Sequence, residues 1–198
     1  AAVRLDMAED FGVQGRGALY EEVGAIRDVV QNHLLQVLTL LAMDAPVAAD
    51  ARSMHAAKLR LLRSIRPLQA GDVVRGQYEG YRAEAGVAAD SRVETYAALC
   101  LHIDNWRWAG VPFLIRTGKS LARTRTEVRV ELKDAPVALF DVADAPAPNY
   151  FRFQLSPVLE ISAGTRVKRP GDAMRGDPVE LLVQRQPRGK SAYQRLLG

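Results

Sequence analysis

The chain has 198 residues, 48% of them hydrophobic and 25% charged, which is the balance of an ordinary globular protein with one sizeable domain or at most two small ones. Its 27 basic residues exceed its 23 acidic residues by only four, and the excess is spread along the chain. Charge therefore gives no support to a nucleic-acid-binding protein, and a single cysteine excludes an intrachain disulfide.

The first third of the chain predicts one strand and two helices. Residues 3–7 alternate apolar and polar side chains like a strand, and a glycine-containing loop is predicted over residues 8–19. Apolar residues then recur at helical spacing over residues 25–43, up to a stop at Pro46. A second helix is predicted over residues 52–65, before Arg66-Pro67.

The rest of the chain predicts strands joined by proline- and glycine-containing turns. Residues 127–133 carry an apolar side chain at every even position and a charged one at every odd position, as in a strand with one buried face. The other predicted strands are residues 73–78, 95–103, 112–116, 150–155, 159–162 and 179–184. Helices followed by strands indicate an α+β fold: a large, mainly antiparallel sheet covered on one face by helices, with residues 1–198 forming a single domain.

Three classes of partner are disfavoured. No apolar run approaches the ~18–20 residues that a membrane span needs. The densest basic stretches, residues 60–66 and 116–129, contain no aromatic residue on which a base could stack. Cys100 and His102 project from the same side of a predicted strand, but no third metal ligand lies near them in sequence, so no metal site is predicted. Two nearby tryptophans, Trp106 and Trp108, are interpreted as packing anchors of a turn.

His33 is the first candidate for chemistry. On an α-helical wheel it falls on the apolar face, so it is either a core histidine held by one hydrogen bond or a general base, since imidazoles titrate near neutral pH. Asp28 precedes it by five residues, about 140° around an ideal helix, so the two are not expected to pair directly. They could flank one ligand, or Asp28 could simply complement the helix dipole.

Lys119 is the second candidate. It follows Gly118 at the end of a predicted strand, where a glycine lets a ligand approach the backbone and an ammonium group attracts an anion. Such turns are also common on protein surfaces. The glycine spacing upstream does not fit a P-loop.

Longer motifs carry a resemblance that covers nearly the whole chain in order. Residues 24–36 read GAIRDVVQNHLLQ, residues 105–113 read NWRWAGVPF, and residues 116–119 read RTGK. Further landmarks are the loop of residues 9–17, the KLRLL of residues 58–62, the PGDAM of residues 170–174 and the AYQRLL of residues 192–197. With these motifs the chain resembles the C-terminal, substrate-binding domain of the glucose-6-phosphate dehydrogenases.

The resemblance implies a reaction and a role for each candidate residue. It implies part of an NADP-dependent oxidoreductase that oxidises glucose 6-phosphate to 6-phosphogluconolactone, the first step of the oxidative pentose phosphate pathway. His33 takes the position of the general base that removes the proton of the sugar C1 hydroxyl. Glu9 and Asp28 take the positions of carboxylates that bind sugar hydroxyls, and Lys119 that of a substrate-binding lysine. A cytoplasmic homodimer formed through the sheet is also implied.

The cofactor is expected mainly outside these residues. The family places a Rossmann domain that binds NADP before this domain, so the 198 residues alone are expected to show no dehydrogenase turnover. The preference for NADP over NAD stays open, as does the choice between a natural and a cloned fragment. Four arginines match positions that bind a second, structural NADP in some relatives: Arg116, Arg125, Arg129 and Arg152.

Three departures from the family pattern stand out. Thr124 occupies a position where a basic residue is usual, which puts a phosphate or sugar contact there in question. Ala57 replaces an acidic residue in the second helix, and Asp10 replaces a proline after Glu9.

Two other functions compete with the enzyme. The first is a non-catalytic relative that keeps the domain and acts as an assembly or regulatory protein, although the presence of all four site residues speaks against it. The second is an anion- or nucleic-acid-binding module, which rests only on the small positive charge.

Overall fold

The computed structural model describes residues 1–137, 148–171 and 174–184. Within them eight strands form one sheet in the order β2-β3-β4-β1-β5-β6-β7-β8. The strands are β1 (Ala2–Ala8), β2 (Val73–Gly76), β3 (Tyr96–His102), β4 (Pro112–Gly118), β5 (Arg125–Glu131), β6 (Tyr150–Ser156), β7 (Glu160–Lys168) and β8 (Gly176–Gln184). The α+β class with a mainly antiparallel sheet is confirmed, and every predicted strand exists.

One pair of strands in this sheet is parallel. β1 runs alongside β4 in the same direction, with Ala8 opposite Gly118, while all other neighbouring strands are antiparallel. Because parallel neighbours end at the same edge, the residues that follow β1 and β4 come out side by side. Tyr96, at the start of the antiparallel β3, is also opposite Gly118, so three chain segments meet at this edge.

The long predicted helix is three segments. Helix α1 (Gly17–Ala25) begins inside the stretch predicted to be loop, and Gly24 interrupts it with φ 64° and ψ 176°. A π-helical segment (Ile26–Leu34) follows, and α2 (Leu35–Ala42) completes the run. A further helix, α3 (Ala51–Arg63), begins at Asp50, whose carboxylate accepts the Ser53 amide at 2.9 Å, which confirms the second predicted helix.

The π-helical segment corrects the expectation for His33. The Leu35 amide donates to the carbonyl of Val30, five residues back, whereas an α-helix bonds four residues back. Side chains five apart on such a helix project from similar sides, so Asp28 and His33 are not separated as the α-helical wheel predicts. The prediction that His33 lies on the apolar face is wrong: the imidazole is exposed, and Val29, Val30 and Leu34 are buried instead.

The main core lies between these helices and one face of the sheet. Alternate residues of the central strands point into it, such as Val3 and Leu5 from β1 and Phe113 and Ile115 from β4. The helices close this core with Val29, Val30, Leu34, Leu38, Ala42 and Leu61. The prediction of helices covering one face is confirmed for this part of the sheet, where the alternating strands need an apolar partner.

The two tryptophans of the β3–β4 turn behave differently. Trp108 donates its ring N–H to the Ala42 carbonyl at 2.8 Å and packs edge-on against Phe113, so its prediction as a packing anchor is confirmed. Trp106 is fully exposed, and for this residue the prediction is wrong.

Candidate active site

Two loops meet at the edge where β1 and β4 end. The Glu9 amide donates to the Gly118 carbonyl at 3.0 Å, and the Leu121 amide donates to the Glu9 carbonyl at 2.9 Å. The Ser120 amide reaches the Phe11 carbonyl at 3.0 Å. These backbone bonds fasten the loop after β1 to the loop after β4, and they bring the predicted site residues Glu9 and Lys119 together across 110 positions of sequence.

Lys119 is a buried cation, and in the described part of the chain Glu9 is the one carboxylate at hydrogen-bond distance from it. Lys119 is 4% exposed, and its ammonium group lies 2.6 Å from Glu9 Oε2. The rings of Phe11 and Tyr20 lie 5.4 Å and 5.2 Å from the same nitrogen, within the range of a cation–π contact. Burial of a lysine costs free energy unless the charge is paired, so an ordinary surface turn does not explain this geometry. Glu9 is less buried than the lysine, which leaves the carboxylate accessible from solvent.

Tyr20 joins Asp28 to this pair. Burial raises the pKa of the Tyr20 phenol above its ordinary value, and the negative charges of Asp28 and Glu9 raise it further, so both carboxylates lie within electrostatic reach of one hydroxyl. That hydroxyl is buried and has no hydrogen-bond partner among the described residues. A buried donor without a partner is uncommon in proteins, and such a group is usually satisfied by an ordered water or a ligand.

Glu94 holds the beginning of the helix that carries Asp28. It is a buried residue just before β3, and its carboxylate accepts the Ile26 amide at 3.0 Å. Its backbone carbonyl accepts the Ala25 amide at 2.9 Å. Without such acceptors the first amides of a helix are unsatisfied, and here the break at Gly24 creates a new helix start beside the site.

His33 lies further along the same π-helical segment. Its side chain is exposed, and no hydrogen-bond partner for it is found among residues 1–137, 148–171 and 174–184. The structure thus gathers Glu9 and Lys119 in direct contact, with Asp28 nearby, and leaves the imidazole open to solvent on the segment that bears Asp28. An accessible imidazole is free to accept a proton from a bound molecule.

Two of the departures from the family pattern contact each other. The Asp10 amide donates to Thr124 Oγ1 at 3.0 Å, and that hydroxyl lies 2.6 Å from Asp10 Oδ1. A proline at position 10 has no amide proton, so it could not form the first of these bonds. Thr124 therefore ties together the loops that carry Glu9 and Lys119. Arg123 beside it is exposed, with no carboxylate partner in the described part of the chain.

The four arginines matched to a second NADP site lie on the sheet face opposite the helices. Arg116 bonds Asp6 at 2.5 Å, Arg125 pairs with Glu127, and Arg129 lies 3.6 Å from Glu131 and stacks on Tyr150. Arg152 pairs with Glu160 at 2.6 Å and with Glu180 at 3.1 Å. Each cation thus has a carboxylate of the same face beside it, so a phosphate group would have to displace an existing partner. The arrangement fits an internal ion-pair network better than an anion site.

The remaining expectations concern metals and membranes. Cys100 Sγ and His102 Nε2 lie 3.6 Å apart on one side of β3, as predicted, and the described residues contain no group of three His, Cys, Asp or Glu side chains arranged for a metal ion. In the same part of the chain, none of the helices combines the length and apolarity needed to cross a membrane.

Tyr20 and Glu94 belong to the site, but the sequence alone predicts no role for either of them. The one signal for Glu94 was Gly24, a glycine inside a helical pattern, which indicates a break or a close approach of another group. Nothing in the sequence indicates which residue approaches. For Tyr20 the signal was absent, because an aromatic residue at helical spacing is usually a core residue.

The chain is similar to known proteins over its full length. It matches the family described as "Glucose-6-phosphate dehydrogenase, C-terminal domain" over residues 1–198. It is 49% identical over 168 residues to glucose-6-phosphate 1-dehydrogenase 1 of Mycobacterium tuberculosis, covering 82% of this chain and 36% of that protein. It is 38% identical over 202 residues to the cytoplasmic glucose-6-phosphate 1-dehydrogenase 5 of Arabidopsis thaliana, covering 100% of this chain and 39% of that protein.

Solved structures agree in fold. The crystal structure of glucose-6-phosphate 1-dehydrogenase from Mycobacterium avium superposes with a TM-score of 0.88 at 41% identity, covering 100% of this chain and 43% of that chain. A glucose-6-phosphate dehydrogenase in complex with its substrate glucose 6-phosphate gives a TM-score of 0.84 at 34% identity, covering 92% of this chain and 39% of that one. This chain thus spans between a third and a half of the length of these relatives. It belongs to the glucose-6-phosphate dehydrogenase C-terminal domain family.

Proposed function

We propose that this domain binds glucose 6-phosphate and removes its C1 hydroxyl proton, as part of an NADP-dependent dehydrogenase that forms 6-phosphogluconolactone. The observation that carries the proposal is the buried Lys119, which lies 2.6 Å from Glu9 at an edge shared with the helix of Asp28 and His33. Membership of the family and the similarity to a substrate complex support the choice of sugar. This reaction is the entry to the oxidative pentose phosphate pathway.

The side chains divide the work by their chemistry. Glu9 and Asp28 accept hydrogen bonds from sugar hydroxyls, which selects against sugars that lack them. Lys119 supplies a positive charge and donors for sugar oxygens. His33 accepts the C1 hydroxyl proton while the C1–H bond breaks and its electron pair leaves as hydride, so that a C1 carbonyl, the lactone, forms.

A nicotinamide cofactor, held mainly by residues outside this chain, would supply the hydride acceptor. The four arginines on the opposite face already have carboxylate partners, so the proposal does not extend to a second NADP there. Since the chain spans only 36% of the mycobacterial relative, we expect residues 1–198 alone to reduce no NADP. Detectable glucose 6-phosphate-dependent NADP reduction by the purified chain would contradict this.

The test is His33→Asn in a protein that joins these residues to the nucleotide-binding domain. We expect kcat to fall by about 10²–10⁴-fold, the typical contribution of a general base, with the dissociation constant of glucose 6-phosphate little changed. His55, which is exposed on α3, is the matched control: His55→Asn should keep wild-type turnover. Wild-type turnover by His33→Asn would exclude it as the base.

The alternative is a non-catalytic relative that binds the sugar phosphate for assembly or regulation. The two hypotheses differ in one outcome. For a non-catalytic relative, the protein joined to its nucleotide-binding domain would bind glucose 6-phosphate and show no turnover even with His33 intact. The enzyme is preferred because the relatives are named as dehydrogenases and the site pair is present.

We further propose a cytoplasmic homodimer formed through the sheet. Strands β6 to β8 expose apolar side chains that a partner would cover, including Phe151, Ile161, Leu181 and Val183. We expect Leu181→Arg to convert a dimer to monomers in sedimentation or light scattering, while Val47→Arg, in an exposed loop, should not. An unchanged mass for Leu181→Arg would argue against this surface. The cytoplasmic isoforms among the relatives support the location.

A further inference from the structure

We infer that Glu94 is a positioning residue: its carboxylate fixes the start of the helix that presents Asp28 and His33 to the sugar. The inference deepens the proposed function and rests on it, because it assigns to Glu94 a role only through those two residues. Glu94 itself is 9% exposed and is not assigned a contact with the substrate.

The helix that carries His33 starts at a break. Gly24 leaves helical geometry, so the run that carries His33 begins anew at Ala25, with its first amides unsatisfied. Glu94 satisfies two of them, with its carbonyl to Ala25 at 2.9 Å and its carboxylate to Ile26 at 3.0 Å. A carboxylate at the positive end of a helix is favourable, so this contact selects one placement of the helix end.

Gly24 also permits a close approach of Glu94 to the backbone. A Cβ atom at position 24 would lie 2.6 Å from Glu94 Oε1 and 3.1 Å from a methyl group of Val93. Glycine therefore serves two needs here, the unusual backbone angles and the space for the carboxylate. The helix break at Gly24 and the carboxylate of Glu94 therefore depend on each other, because the carboxylate fits only beside a residue that has no Cβ atom.

Glu94 is also linked through the backbone to the turn that carries Lys119. The adjacent Thr95 accepts the Lys119 amide on its carbonyl at 3.0 Å. Thr95 is fully buried. Its amide donates to the Gly76 carbonyl, and its hydroxyl accepts the Tyr78 amide. Residues 94 and 95 thus hold the base-bearing helix and the lysine-bearing turn at a fixed separation.

The consequence is a defined effect on turnover. A reacting group displaced by about 1 Å can lose about 100-fold in rate, even when the fold is intact. Release of the helix end would move Asp28 and His33 relative to Lys119. The loss should be larger in kcat than in KM, because Glu9 and Lys119 still hold glucose 6-phosphate when the contact of Asp28 is weakened.

The experiment compares Glu94→Ala and Glu94→Gln in the protein joined to its nucleotide-binding domain. Glu94→Ala removes the acceptor, and we expect kcat to fall about 10–100-fold with KM changed less than about threefold. Glu94→Gln keeps an acceptor oxygen for the Ile26 amide and should retain kcat within about threefold of wild type. Equal losses in both variants, or wild-type kcat in Glu94→Ala, would overturn the inference.

Two controls separate positioning from a general loss of stability. Glu21 is a carboxylate of the neighbouring small core that binds Tyr81 and Ser91, and Glu21→Ala should lower the melting temperature without lowering kcat. In a His33→Asn background, Glu94→Ala should cause a smaller further loss than in the wild type, because the part of its effect that acts through His33 is already gone. A full additional loss there would overturn the role of Glu94. Full turnover by His33→Asn alone would instead overturn the proposed base.

Discussion

The strands β3, β4, β1 and β5 each bury apolar side chains in the main core, whereas β6, β7 and β8 leave apolar side chains such as Phe151, Ile161 and Leu181 exposed. Phe113 in β4 is 0% exposed and Phe151 in β6 is 45% exposed, although both belong to one continuous sheet. The candidate active site lies at the edge of the covered half. The two parts of the sheet therefore differ in role. The covered part fixes the geometry of the site, and the extension (β6 to β8) exposes an apolar surface to which a partner could bind.

A pair of phenylalanine substitutions tests this comparison most directly. Phe113→Ala opens a cavity in the main core and should cost about 3–5 kcal/mol of unfolding free energy. Phe151→Ala should cost about 1 kcal/mol or less, since half of the ring already meets water. Urea unfolding of both variants measures the difference. Equal losses would show that the extension is packed as tightly as the core.

A substitution at Gly24 should disturb the edge of the sheet that carries the site, with a smaller loss of unfolding free energy than Phe113→Ala. Gly24→Ala forces a side chain into backbone angles that are essentially restricted to glycine, at a cost of about 1–3 kcal/mol, and it pushes against Glu94. Gly80 also has a positive φ but has open space around it, so Gly80→Ala should cost about 1–2 kcal/mol and leave turnover unchanged. Thermal unfolding together with kcat in the joined protein distinguishes the two. Wild-type turnover by Gly24→Ala would show that the break has no role at the site.

The smallest expected effect concerns acid stability in the two halves. Burial raises the pKa of Glu21, but hydrogen bonds from Ser91 and Tyr81 more than offset it and leave the pKa below its usual 4.5. Hydrogen bonds from Ser162 and Tyr150 likewise lower the pKa of Glu180 in the extension. Both carboxylates therefore contribute stability above pH 4.5 that is lost as the pH falls through 4.5 toward the folded values.

The measurement is urea unfolding at pH 7, 4 and 3. Glu21→Gln and Glu180→Gln should each lose less unfolding free energy than the wild type between pH 7 and pH 3, because neither has the proton-linked group. A slope as steep as that of the wild type in either variant would show that the corresponding carboxylate is not responsible.

The strands were predictable because each keeps a period of two residues and ends at a turn signal. Residues 127–133 illustrate this, since the structure has β5 there with Val128 and Val130 turned toward the helices. The π-helical segment was not predictable. A π-helix is rare, so a helical apolar pattern is interpreted as an α-helix, and the two differ in which carbonyl each amide reaches.

The site was predictable in its residues and not in its contacts. Glu9 and Lys119 follow from the family motifs, but their pairing depends on the parallel β1–β4 alignment, which joins residues 110 positions apart. The contact between Asp10 and Thr124 was likewise not predictable, because in the sequence each of them is a separate departure from the family pattern. Long-range register is decided by packing, and a local pattern carries little information about it.

The parallel alignment of β1 and β4 also has a consequence for biosynthesis. Ribosomes add about 5–20 residues per second, so β1 waits about 5–20 s for the residues of β4 to be made. During that interval its apolar residues Val3 and Leu5 lack their final neighbours. β1 can therefore pair with a neighbouring strand only after the chain has reached β4, because β5, its other neighbour, is made later still.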